Sequence, residues 1–122
     1  MSQRKSVSIK ELENERFISM HRGYWSREMI EEYCRNEGFV PNFAIEVGEP
    51  DAMVPLVKQG LGVTLVPELG WLRWRDQLPH RIRISDPGCV SHWGLVWSSK
   101  HYMPPEVRLF RQFVIAYFNK LP

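Results

Sequence analysis

Pro50-Asp51-Ala52-Met53-Val54-Pro55-Leu56-Val57-Lys58-Gln59-Gly60-Leu61-Gly62-Val63-Thr64-Leu65-Val66-Pro67-Glu68 is the stretch on which the fold turns. Met53, Val54 and Val57 are spaced to line one face of a helix. Gly60 falls where that helix ends, because glycine takes the left-handed cap without a Cβ penalty. Gly62 lets the chain pass close to the helix end as it turns back. Val63-Thr64-Leu65-Val66 is a short, apolar, β-prone run, the kind that lies inside a parallel sheet covered on both faces. Pro67 has no N–H for a ladder and ends the strand. Pro55 suits only a first turn, so the regular helix starts as late as Asp51 or Ala52. The whole is a helix-then-strand unit of a doubly wound α/β layer. That architecture gathers ligands at the carboxyl ends of its strands, here around Pro67.

Toward the N-terminus, Phe43, Ile45 and Val47 alternate with Asn42, Ala44 and Glu46, which predicts a strand with one polar or edge-facing side. Before it, residues 26–37 read as a helix capped by Ser26. Its apolar stripe is Met29, Ile30, Tyr33 and Cys34, and Glu31, Glu32 and Arg35 face water. Gly38 ends that helix and Phe39 folds back, as the hydrophobic residue after such a cap often does. Phe17-Ile18-Ser19-Met20 is the first strand, and residues 21–25 form the loop at its carboxyl end. Ser8 caps a single helical turn over residues 8–12. Residues 1–8 read as a polar, frayed leader.

Toward the C-terminus, residues 68–74 form a short helix with Arg73, Arg75 and Asp76 outward. Ile82 and Ile84 alternate with Arg81, Arg83 and Ser85, a strand with one wet face. Asp86-Pro87-Gly88 is a turn. Residues 92–97 read as a buried strand. Pro105 and Glu106 open a last helix whose apolar face is Val107, Phe110, Phe113, Val114, Tyr117 and Phe118. Three consecutive strand–helix units with short links predict a mostly parallel sheet with right-handed crossovers, flanked by helices.

The 122 residues make a single domain, or one lobe of a larger one. A hydrophobic fraction of 43% supplies a core, and the net charge of +2 is too small to argue for nucleic acid. Cys34 and Cys89 form no CxxC and, with no apolar leader after Met1, read as free thiols of a cytoplasmic protein. No apolar run approaches the ~20 residues a membrane span needs. His80, His92, His101 and the cysteines lack metal-ligand spacing, no cofactor motif is present, and no acid/base pair has spacing that supports catalysis.

Gly38-Phe39-Val40-Pro41-Asn42-Phe43, then Glu46, then residues 55–68 in order resemble the effector-binding domain of LysR-type transcriptional regulators. The flanks agree. Residues 8–20 resemble the family's lead into its second lobe, Trp93-Gly94-Leu95-Val96-Trp97 its crossover strand, and residues 104–118 its closing helix. The resemblance runs from about Ser6 to Phe118. It implies one lobe, the second, of a type II periplasmic-binding-protein-like fold. It also implies that the strand near 93–97 and the helix over 105–118 pack on the first lobe, whose main body is missing here. DNA contact in such regulators comes only through a winged helix-turn-helix, absent from this chain. The uncovered last helix implies a homodimer or higher self-association.

The resemblance implies a small-molecule effector, an organic acid or an amino-acid-like metabolite, bound between lobes. Three loops of this lobe would face it: residues 20–25, 47–51 and 67–68. Helix N-termini there present free N–H groups to an anion. The implicated residues are Met20, His21, Arg22, Tyr24, Val47, Glu49 and Pro67. Arg22 is the carboxylate clamp of choice, with a solvated loop arginine as the plain alternative. His21 is a hydrogen-bonding candidate against an ordinary surface or core histidine. Tyr24 and Trp25 either wall the pocket or pack under the next helix. Glu49 and Asp51 read more as caps, and Glu49 repels an acidic ligand. Pro67 shapes the cleft through its backbone. The basic and aromatic alternation of Trp71, Arg73, Trp74 and Arg75 resembles a single-strand binder, but an amphipathic helix accounts for it. Two other functions fit less well. A solute-binding lobe would need an export leader, and a small flavodoxin-like enzyme would need a phosphate loop that Gly23 alone does not make.

Overall fold

Ser6 and Val7, expected in a frayed leader, form a strand, β1 (Ser6–Val7), in the computed structural model, which describes residues 4–77, 80–90 and 94–120. Val7 is buried, and burial of that one side chain is what orders the segment. A 3-10 turn, Ile9–Leu12, follows, and Glu11 accepts the Ser8 N–H at 2.8 Å, the acidic half of a capping box. Then come β2 (Arg16–Met20), α1 (Trp25–Asn36) and β3 (Asn42–Val47). A 3-10 turn, Pro50–Ala52, leads into α2 (Met53–Lys58). The turn is how the chain accommodates two prolines. Pro50 starts it, and Pro55 falls in the first turn of α2, where its missing N–H is not needed. α3 (Glu68–Trp74), β4 (Arg83–Ile84) and α4 (Pro105–Asn119) complete the order.

β2 is the centre. It pairs in parallel with β3, in register from Arg16↔Asn42 to Met20↔Val47, with Ala44 bulged out where the register shifts. Its other edge takes Val63: Ile18 N–H donates to the Val63 carbonyl and Val63 N–H to the Arg16 carbonyl, both at 2.8 Å. Alternation along β2 sends Phe17 to one face and Ile18 and Met20 to the other. Phe17 joins Val7, Ile9, Leu12, Ile30, Cys34 and Phe39. Ile18 and Met20 join Val47 and Met53. The strand is therefore covered on both faces, by α1 and by α2, as a doubly wound layer requires. β1 and β4 pair in parallel as a separate two-stranded sheet.

Both helix stops are glycine caps with complete hydrogen bonding. After α1, Gly38 at φ +86° donates to the Arg35 carbonyl and Phe39 to the Cys34 carbonyl. After α2, Gly60 at φ +75° donates to the Val57 carbonyl and Leu61 to the Leu56 carbonyl. Each is a Schellman motif, which leaves the last carbonyls satisfied and turns the chain back. Gly62 has another reason. A Cβ there would lie 2.6 Å from the Arg16 carbonyl oxygen, so the close approach is to β2 and not to the helix end.

Three expectations need correction. The cap of α1 is the backbone of Tyr24, not the Ser26 side chain, which falls inside the helix. Glu31 is half-buried, drawn inward by Arg27. The run Val63–Val66 is half-buried and carries one bridge, not a full strand, because only Val63 meets β2. The chain divides into two compact units, Met1–Ser91 and His92–Pro122.

In the second unit, residues 94–97 of the expected buried strand run without strand pairing, and Leu95, Val96 and Trp97 are exposed. Their backbone lacks a partner ladder among the described residues, and a single segment cannot satisfy its own strand hydrogen bonds. His92 and Trp93 lie outside the described residues. α4 has the expected proline start, with Arg108 N–H donating to the Pro104 carbonyl. None of its side chains is buried, and Val107, Phe110, Phe113, Tyr117 and Phe118 are all exposed.

Candidate functional site

The parallel strands β2 and β3 end side by side at Met20 and Val47. The two loops that follow start from the same edge. One runs from His21 to Tyr24 into α1, and the other passes Gly48 and Glu49 into the Pro50–Ala52 turn. They meet at His21, whose Nε2 lies 4.0 Å from where a Cβ on Gly48 would stand. Gly23 at φ +97° lets the first loop turn within four residues, a conformation that costs a residue with a Cβ about 1 kcal/mol. His21, Arg22, Tyr24 and Trp25 are all exposed along that loop, beside the free N–H groups of α1.

Beneath the loop is a charge network centred on Arg27, which is 4% exposed. Its Nε donates to Glu31 Oε1 at 2.9 Å, and Nη1 donates to Glu46 Oε1 at 2.7 Å and to the Met20 carbonyl at 3.2 Å. The guanidinium stands 3.5 Å from the centroid of the Phe43 ring. Burial pulls its pKa down, but the Glu46 and Glu31 carboxylates outweigh burial and raise it overall. The other oxygen of Glu46 lies 3.4 Å from His21 Nδ1. Arg27 first, and His21 after it, hold the Glu46 carboxyl below its ordinary range. A carboxyl depressed in the folded state contributes stability above its unfolded pKa, roughly 4.3, and loses it as pH falls through the folded value. Wild type is thus expected to lose thermal stability below about pH 5 more steeply than Glu46→Gln. Equal slopes would take Glu46 out of the acid response.

The fold and this edge come with a family. A family model for the LysR substrate binding domain matches residues 1–119. The chain belongs to the LysR substrate-binding domain family. It is 31% identical over 121 residues to an uncharacterised HTH-type transcriptional regulator, YybE, of Bacillus subtilis (strain 168), covering 98% of this chain and 40% of that protein. It is 31% identical over 121 residues to the transcriptional dual regulator GltC of the same organism, covering 99% of this chain and 40% of that protein. Another uncharacterised HTH-type regulator, YnfL of Escherichia coli (strain K12), is 31% identical over 114 residues, 87% of this chain and 36% of that protein. The chain spans about two fifths of the length of the curated relatives it matches. The LysR substrate-binding domain has a type II periplasmic-binding-protein-like fold, and the parallel strands layered between helices here are that fold.

Within this LysR domain the expected site residues divide. Met20 and Val47 are core residues that anchor the loop starts, so they offer backbone and not side chains. His21, Arg22, Tyr24 and Glu49 are exposed on the two adjoining loops. Tyr24 and Trp25 do not pack under the helix; about half of each is open. Glu49 stands at the cap of the Pro50–Ala52 turn without a side-chain cap bond. Asp51 is not a cap either. Its carboxylate accepts Trp74 Nε1 and Arg73 Nη2, each at 2.8 Å, and ties the turn to α3. Pro67 is the backbone cap of α3. Its neighbour Val66 lines, with Pro50, Met53, Val54, Val57, Thr64 and Trp74, a shallow apolar dent with room for no more than a water molecule. Trp74 is thereby a buried anchor and not a stacking platform.

Arg27, Glu31 and Glu46 are absent from the expected set. A signal exists for the first two. Arg27 precedes Ile30 and Cys34 by three and seven positions, which puts it on the buried stripe, and Glu31 follows at four. Cys34 and Cys89 are unbridged and share one apolar cluster. Burial, with Cys89 beside it, pushes the Cys34 thiol up to about 11, and burial also raises Cys89. Neither is an activated nucleophile. Among the described residues no three His, Cys, Asp or Glu side chains gather as a metal site, and no helix is long and apolar enough to cross a membrane.

Proposed function

We propose that this chain is the second lobe of the effector-binding domain of a LysR-type transcriptional regulator and works by non-catalytic binding of a small molecule. The supporting observation is the pairing of a family match over residues 1–119 with exposed His21, Arg22, Tyr24 and Trp25 at the carboxyl ends of parallel strands. In an open α/β layer that edge is where ligands settle. Arg22 offers a planar fork matched to a carboxylate, and the N-terminus of α1 offers dipole and free N–H groups. The ligand class is an organic acid or an amino-acid-like metabolite. Its binding biases the regulator between conformations, as differential affinity for two states must.

Calorimetry against a panel of small carboxylates and amino acids tests this on wild type and Arg22→Ala. Loss of a charge-assisted bidentate contact should weaken binding by about 1.5–3 kcal/mol, roughly ten- to a hundredfold. Unaltered affinity in the variant removes Arg22 from the site, and no binder in the panel removes the ligand class.

In the whole regulator the protein is cytoplasmic, and DNA contact belongs to a winged helix-turn-helix outside these 122 residues. A tight, sequence-selective gel shift by this chain alone contradicts that. The exposed face of α4 supports self-association of the isolated chain, since a contiguous apolar face of that kind is a liability in water. A clean monomer by light scattering at high concentration would sink the idea.

A further inference from the structure

Arg27 is the one charged side chain buried among the described residues. Helix formation does not ask for it. A leucine at that place on the stripe would bury apolar area without desolvating a charge. What distinguishes the guanidinium is what it holds. The Met20 carbonyl belongs to the last strand residue before the loop, and the Glu46 carboxylate stands between Arg27 and His21. Glu31 occupies Nε, and the Phe43 ring lies against the guanidinium, so the fork has one orientation.

We infer that Arg27 is a positioning residue of the ligand site, which touches no ligand and sets where His21 stands and which of its nitrogens is free. With one oxygen of Glu46 held by Arg27, the other faces His21 Nδ1. A carboxylate there selects the Nδ1–H tautomer and leaves Nε2 as an acceptor beside Gly48. Through the Met20 carbonyl, the same guanidinium fixes the point from which residues 21–24 depart. This rests on the proposed function, because it takes that loop as the ligand-facing one.

The test needs no ligand and uses the chain labelled with nitrogen-15. Long-range imidazole spectra at about pH 8, where histidine is mostly neutral, report the tautomer of His21. Wild type is expected as Nδ1–H. In Glu46→Gln, Arg27 claims the single carbonyl oxygen and turns the amide NH2 toward His21, so Nδ1 becomes the acceptor and the tautomer switches to Nε2–H. In Arg27→Lys, one compact ammonium replaces the fork. Amide exchange of residues 21–24 then accelerates about tenfold while Ile30 and Cys34 stay within about threefold. Glu46 is 44% exposed at its side chain and Lys keeps the charge, so both variants should fold. An unchanged tautomer in Glu46→Gln overturns the inference. So does loop exchange in Arg27→Lys that is unchanged or rises in step with the core, the mark of a merely structural arginine. If these readouts behave as expected while no carboxylate or amino acid binds wild type, the proposed function fails and the positioning role stands.

Discussion

Phe17→Ala is expected to destabilise the first unit by about 3–5 kcal/mol, the range for emptying a buried aromatic site. Phe17 is fully buried, on the strand that both helices cover. Its ring lies 6.2 Å from that of Phe43, tilted by 56°, so the truncation removes an aromatic contact as well as apolar area. Relaxation offers little relief, because β2 is tied on one edge to β3 and on the other to Val63. Domains of this size hold about 5–15 kcal/mol in all. Thermal unfolding followed by circular dichroism should show a midpoint lower by roughly 20 °C, or no cooperative transition. A shift of only a few degrees would mean that β2 is not the centre of the core.

Gly62→Ala is the second large effect and has a different cause. The added methyl would sit 2.6 Å from the Arg16 carbonyl oxygen and 3.0 Å from Ile18 Cγ1. Both neighbours belong to β2, and the first is backbone, which cannot swing away. The segment must move off β2 and break the two 2.8 Å bonds that join Val63 to it. A cost of about 2–4 kcal/mol follows, in the upper range for overpacking. Gly60→Ala is the control. Gly60 has φ +75° but nothing within 4 Å of a Cβ, so only the left-handed backbone resists, at about 1 kcal/mol. Denaturant midpoints of the two variants should therefore differ clearly, with Gly62→Ala the lower. The reverse order would show that the turn conformation at Gly60, and not the approach to β2, governs this stretch.

Those two glycines show what was legible in the sequence. A helix end marked by glycine and followed by an apolar residue is a local pattern, with its hydrogen bonds made within six residues. Gly38-Phe39 and the Gly60 stop were therefore readable, and so was the short α3 between Pro67 and Arg75. The alternation of Ile82 and Ile84 with wet neighbours also survives, because period two needs no partner to be seen. β1 was not legible. Two residues carry no period, and Val7 is buried by a pairing to Ile84 across the chain. Nor was the half-strand after Gly62, whose bonding depends on how far β2 extends beside it.

The site was legible as loops and less so as side chains. Strand ends and helix starts follow from element order, so His21, Arg22, Tyr24 and Glu49 could be placed at one edge. Met20 and Val47 went inward because the last residue of a covered strand is still core. Arg27 escapes a sequence reading because charge on a helix is ordinarily solvated, and its two carboxylate partners sit four positions along and on strand β3. Asp51 reads as a cap in the sequence because its partners, Arg73 and Trp74, lie on α3. Long-range polar pairing leaves no local trace.

A small carboxylate or amino acid should be read at the carboxyl ends of β2 and β3. The most direct measurement is a titration of the nitrogen-15-labelled chain with the tightest binder from the calorimetric panel, followed by amide chemical shifts. Saturable shifts concentrated in residues 21–25 and 48–51 are expected, lost or weakened about tenfold in Arg22→Ala. Saturable shifts confined to α4 or to the apolar dent around Val57 and Trp74, with residues 21–25 unmoved, would contradict it.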